Sequence, residues 1–110
     1  MNLSYNVFPQ SFKNMRPVAL ASERAGLHSI AIADSPLISR ELFVSCAECL
    51  HETKSLNVMT AVTNPLTRHP SVAASAIATF CEMAPGRLPF RIATGVSSAR
   101  GAGLTPAQCC

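Results

Sequence analysis

Residues Thr63-Asn-Pro-Leu-Thr-Arg-His-Pro70 place two basic side chains, Arg68 and His69, directly before a proline that suits the first turn of a helix. Backbone N–H groups and the macrodipole at a helix N-terminus favour negative charge, so two basic groups at that point suggest an anion nearby. Two readings stay open. One is a bound substrate or other anion; the other is a solvated turn whose Arg forms a surface ion pair. Asp34, in Asp34-Ser-Pro36, is a second candidate, either as a polar anchor for a ligand or as a turn residue.

Five cysteines form the next group of chemically capable residues: Cys46, Cys49, Cys81, Cys109 and Cys110. Cys46-Ala-Glu-Cys49 has the spacing of redox and zinc sites, but a zinc ribbon needs a second pair at matching distance. Cys109 and Cys110 are adjacent, not spaced. Leu42, Cys46, Cys49 and Leu50 recur at helical spacing, which makes the thiols the buried face of an amphipathic helix. Cys81 falls in another apolar helix, and no metal site is expected. Glu23 reads as a solvated charge, and His28 and His51 as structural or exposed.

These residues have to be positioned by a small number of elements. The chain has 110 residues, with 48% hydrophobic and 14% charged, a globular composition rather than a disordered one. That is one small domain, residues 1–110, and well short of the ~250 residues of a complete (β/α)8 barrel. Apolar runs at 3–8, 29–33, 56–62 and 88–94 read as strands. Helical periodicity spans 16–25, 39–52 and 71–84, with Val72, Ala73, Ala76, Ile77 and Phe80 as the stripe of the third helix. The order βαβαβαβ with short connections implies a parallel sheet with right-handed crossovers. Loops at the carboxyl ends of such strands make the binding face, which gathers residues 9–14, 34–36, 63–69 and 95–100 on one side.

Other function classes are disfavoured by composition. A formal charge of +3 with scattered Lys and Arg gives no basic stripe, so nucleic acid is not expected as a partner. No apolar run reaches the ~18 residues of a membrane span. The first residues lack a basic leader and apolar core, so the expected location is cytoplasmic.

The segments Ser22-Glu-Arg-Ala-Gly26, Ile32-Ala-Asp34, Ala61-Val-Thr-Asn-Pro-Leu-Thr-Arg-His-Pro70, Ala84-Pro-Gly-Arg87 and Thr94-Gly95 carry a family resemblance. The chain resembles the luciferase-like oxidoreductases, which use flavin or deazaflavin, and in particular their methylenetetrahydromethanopterin reductase-like branch, from about residue 3 to 106. The resemblance implies the N-terminal half of a (β/α)8 TIM barrel, an α/β fold of parallel strands with outer helices. It implies FMN or a deazaflavin coenzyme at the carboxyl ends of the strands, with hydride passing to or from a small-molecule substrate or oxygen. Carried over by position, Ala61 and Val62 match a bulge, often with a non-proline cis peptide, that supports the ring. Asp34 matches a polar position near the ring edge, and Thr94 and Gly95 match a strand end close to the cofactor. Two positions depart from the family pattern: Arg91 stands in place of a glycine and Val96 in place of an acidic residue. With half a barrel, weak or no cofactor binding and no independent turnover are expected. The alternative is a non-catalytic interaction module that self-associates through its open sheet edges.

Overall fold

The computed structural model describes residues 1–106; Cys109 and Cys110 lie outside the described residues. Three strands, β1 (Ser4–Val7), β2 (Ser29–Ile32) and β3 (Asn57–Thr60), form a parallel sheet in sequential order. In register, Val7 lies beside Ile32 and Ile32 beside Thr60. Helix α1 (Met15–Arg24) joins β1 to β2 and α2 (Leu42–Glu52) joins β2 to β3. After β3 come α3 (Pro70–Met83) and a short α4 (Val96–Gly101).

Alternation along the strands divides the sheet into two faces. Val7, Ile30, Ile32 and Val58 pack against Met15 and Ala19 of α1 and against Leu42, Cys46, Cys49 and Leu50 of α2. This is the core, and all four expected positions of α2 are buried in it. Burial pushes the Cys46 thiol strongly up and the Cys49 thiol up to about 12, so neither is a thiolate at neutral pH. Among the described residues, no group of three or more His, Cys, Asp or Glu side chains converges as a metal site, and no helix is long and apolar enough to cross a membrane.

Four expectations about the elements require correction. The segment 88–94 is not a fourth strand. It runs beside β3, but its only bridge pairs Thr63 with Ile92. Pro89 has no N–H to give a ladder, and the Arg91 N–H is diverted to the Thr60 side-chain oxygen at 2.7 Å instead of a backbone carbonyl. Residues 95–100 are not an irregular loop, because Val96 to Arg100 fall within α4. Helix α2 starts at Leu42 rather than at Ser39. The Ser39 N–H and hydroxyl both bond back to the Ser35 carbonyl at 2.8 Å, and Glu41 supplies the cap by accepting from the Val44 N–H at 2.8 Å. On α3 only Phe80 of the expected stripe is fully buried, and both Val72 and Cys81 are exposed. Phe80 meets Phe43 of α2 with ring centroids 6.0 Å apart, while Ala73 and Ile77 face a shallow groove beside Phe90 and Ile92.

Glu23 is not merely solvated. Its Oε1 accepts from the backbone N–H groups of Lys54 (2.8 Å), Ser55 (2.6 Å) and Leu56 (3.1 Å) and from the Ser55 hydroxyl (3.0 Å). Arg87 serves the opposite polarity of the same turn. It donates to the carbonyls of Thr53 (2.9 Å) and Leu56 (3.0 and 3.1 Å) and to the Thr53 hydroxyl (2.6 Å). The α2–β3 turn is thus held by one carboxylate for its donors and one guanidinium for its acceptors. The Ser55 N–H foremost, with the other donors, holds Glu23 down from 4.5 to about 2, against an opposing effect of burial. A depressed carboxylate contributes stability above its unfolded value and loses it as pH falls through its folded value, so this contribution fades between pH 4.5 and 2. Urea unfolding at pH 6, 4 and 2.5 is expected to show a steeper acid loss for the native chain than for Glu23→Gln. Parallel losses in the two proteins would contradict the assignment.

Candidate functional site

The carboxyl ends of the strands carry two neighbouring arrangements, one ionic and one concave. The ionic arrangement is centred on Asp34, which follows β2. Its Oδ2 accepts from Arg68 Nη1 at 2.5 Å and from the Thr63 hydroxyl at 2.6 Å, and its Oδ1 accepts from Arg68 Nη2 at 3.1 Å. Arg68 also donates to Glu41 Oε1, from Nη2 at 2.6 Å and from Nε at 3.0 Å. Its guanidinium lies 4.8 Å from the centre of the Phe43 ring. Both carboxylates raise the Arg68 pKa, against the effect of its burial. The Ser98 hydroxyl of α4 donates to the Asp34 carbonyl at 2.8 Å. One arginine therefore joins the loops after β2 and β3 to the N-cap and first turn of α2.

The anion beside Arg68 is thus intramolecular. The Asp34 side chain, only 2% exposed, lies beneath Arg68 and Thr63, so it is a clamp for the loops rather than an open anchor at a ring edge. His69 is separate from this cluster. It is the N-cap of α3, exposed, with Nδ1 accepting from the Ser71 N–H at 3.3 Å and lying 2.7 Å from the Ser71 hydroxyl.

The concave arrangement lies on the sheet face away from the helices. Asn6, Phe8, Ala31, Ala33, Ala61 and Val62, with Val7 and Arg91, line a cavity of about 300 Å³. Methyl-sized side chains at 31, 33 and 61 leave the strand ends low, which makes a floor. The Ala61–Val62 peptide, at the end of β3, is cis. Thr60 fixes the adjoining segment: its hydroxyl donates to the Arg91 carbonyl and accepts from the Arg91 N–H, both at 2.7 Å. Arg91 is thereby placed beside Ala61 and Val62.

Thr94 and Gly95 do not line this cavity. Gly95 has φ +62° as the N-cap of α4 and lies against Asn64, whose Oδ1 accepts from the Leu66 and Thr67 N–H groups at 3.0 and 2.9 Å. The structure therefore joins Ala61 with Val62 at the cavity, and Asp34 with Arg68 beneath the rim. Thr94, Gly95 and His69 remain outside both. Asn6, Ala31, Ala33 and Arg91 are cavity residues that the sequence reading missed. Strand alternation was the available signal: residues 6 and 8, and 31 and 33, oppose the buried 7 and 30 and 32.

The family model for luciferase-like monooxygenases matches residues 2–107. No functionally curated protein matches the chain. Among solved structures, the coenzyme F420-dependent tetrahydromethanopterin reductase of Methanopyrus kandleri is similar with TM-score 0.86 and 22% identity, over 94% of this chain and 30% of that one. An F420-dependent secondary alcohol dehydrogenase, in complex with an F420–acetone adduct, gives 0.77 and 22% over 86% of this chain and 32% of that one. The monooxygenase RslO1 from Streptomyces bottropensis gives 0.78 and 16%, over 96% and 37% respectively. The chain spans about a third of the length of these structures. Its three-stranded parallel sheet and outer helices match the N-terminal part of their TIM-barrel fold, with the sheet open. The chain belongs to the luciferase-like monooxygenase family.

Proposed function

We propose that the cavity floor formed by Ala31, Ala33 and Ala61 supports one face of a flavin or deazaflavin ring in a luciferase-like oxidoreductase, with FMN and coenzyme F420 as the candidate cofactors. The observation that carries this reading is the cavity itself, at the carboxyl ends of parallel strands and floored by methyl groups. The residues fit such a group: low side chains admit a flat ring against the strand ends, and about 300 Å³ is at the lower end of the ~300–1,000 Å³ of small-molecule sites. When bound, the ring would supply hydride exchange with a small-molecule substrate or oxygen.

This chain's own residues would do the positioning. Ala61 and Val62 form the support, and Asn6 offers an amide at the margin of the cavity. Asp34 and Arg68 hold the loops after β2 and β3 in place, so their contribution is to the shape of the floor. Gly95 acts through Asn64, against which it packs, and His69 acts as a cap. The single exposed face of the cavity leaves one side of a ring in water, so the isolated chain binds weakly and does not turn over.

A second reading is favoured by β1, which pairs on one side only and has Leu3, Tyr5 and Phe8 exposed along or beside it. It is self-association through that edge, as an interaction module. Sedimentation velocity of the chain with FMN or F420, recorded at the cofactor's own absorbance, separates these readings. A monomer with little co-sedimenting cofactor is expected, and a hydride-transfer assay with no turnover. Micromolar co-sedimentation with turnover would overturn the inactive-alone reading, and a concentration-dependent dimer without cofactor would favour the module.

A further inference from the structure

Arg91 is the single ionisable residue lining the cavity. Its main chain is clamped to β3 and its continuation, since its N–H and carbonyl bond to the Thr60 hydroxyl at 2.7 Å and its carbonyl also accepts from the Thr63 N–H at 3.1 Å. Its side chain, in contrast, is uncommitted: among the described residues the guanidinium has neither a hydrogen-bond nor a carboxylate partner. The buried carboxylate of the neighbouring ionic cluster, Asp34, lies under Arg68 and is spent on it. Arg68 shows what a fully engaged arginine looks like in this fold; Arg91 differs in having a fixed backbone and a free charge at the edge of an apolar floor.

We propose that Arg91 makes the cavity selective for a flat ring that itself carries negative charge. This rests on the reading of the cavity as a ring support and goes further by choosing between ring chemistries. A flavin ring in its oxidised form is neutral. An 8-hydroxy-5-deazaflavin ring carries a hydroxyl conjugated through the ring to a carbonyl, a vinylogous acid that is ionised at neutral pH. A guanidinium at the margin attracts the second and is indifferent to the first, and its planar fork suits an oxygen-centred, delocalised anion. Because Arg91 is exposed, water and salt weaken the attraction, and the preference is small and falls with ionic strength.

Riboflavin and 8-hydroxy-5-deazariboflavin test this directly, since they share the ribityl chain and neither has a phosphate. Titration of the ¹⁵N-labelled full chain measures millimolar affinities and locates binding at the same time. The native chain is expected to bind the deazaflavin up to about fivefold more tightly than riboflavin at low salt. Arg91→Gln should abolish that preference, so that the ratio of the two affinities falls to about one, and Arg91→Lys should keep part of it. Both substitutions leave the main-chain bonds to Thr60 and Thr63 intact, and an unchanged amide spectrum in the free state verifies the fold. Equal affinity of the two rings at the cavity would overturn the role of Arg91 while upholding the ring support. A preference that survives Arg91→Gln would do the same. Shifts remote from Ala31, Ala33 and Ala61 for both rings would overturn both.

Discussion

Arg68→Ala is expected to lower stability by about 3–5 kcal/mol, because it leaves Asp34 as a buried carboxylate without a counter-charge. The Asp34 side chain is 2% exposed, and its remaining neutral partner, the Thr63 hydroxyl, supplies a hydrogen bond but no charge. Further losses come with it: Glu41, which caps α2 with one carboxylate oxygen, loses the partner of the other, and Phe43 loses a cation over its ring. Small domains have about 5–15 kcal/mol in total, so the variant sits near the limit of folding. Arg68→Lys keeps the charge but not the two-pronged contact and is expected to fall between the two. Combining Arg68→Ala with Asp34→Asn removes the orphaned charge and should recover part of the loss. Urea unfolding followed by circular dichroism measures all of these. A loss under 1 kcal/mol for Arg68→Ala, typical of an exposed ion pair, would show that the cluster is no more than surface decoration.

Gly95→Ala is expected to cost about 2–5 kcal/mol, from two additive sources. Its φ of +62° is left-handed, and an added Cβ would lie 2.4 Å from Asn64 Cβ and 2.7 Å from Asn64 Cγ. Asn64 cannot easily retreat, since its side-chain oxygen holds the turn at Leu66 and Thr67. Gly26 separates the two sources: it has φ +74° with open space where a Cβ would go. Gly26→Ala should therefore show the backbone cost alone, about 1 kcal/mol. Equal losses at the two positions, by the same urea measurement, would remove the packing argument for Gly95.

Local patterns made much of this fold legible. The nearly unbroken apolar run of β2 reports a strand buried along its whole length, the Leu42, Cys46, Cys49, Leu50 spacing of α2 reports a buried face, and Ile30 and Ile32 meet that face in the core. Pro70 marked the start of α3 for a local reason as well. What stayed hidden depended on partners distant in sequence. Glu23 resembles any exposed helix acid until the turn 31–33 residues later presents its N–H groups. Arg68 announced an anion, but only tertiary structure shows that Asp34, 34 residues away, provides it. The segment 88–94 is apolar enough for a strand, yet Pro89 and the Thr60 hydroxyl divert its pairing. In the candidate site, Ala61 and Val62 came from a family pattern. For Asn6, Ala31 and Ala33 the local signal was only a place on the strand face opposite Val7, Ile30 and Ile32, and the cavity they line takes shape once three strands stand side by side.

Under the proposed function, the alanine floor at the strand ends supports a flavin-type ring. Amide chemical-shift mapping of the full chain with FMN tests it most directly, because the method registers weak binding without requiring turnover. Progressive shifts are expected at Asn6, Ala31, Ala33, Ala61 and Val62, with the amides of α1 and α2 on the opposite face unmoved. Shifts confined to the helical layer, or none at the floor at millimolar FMN, would contradict the claim.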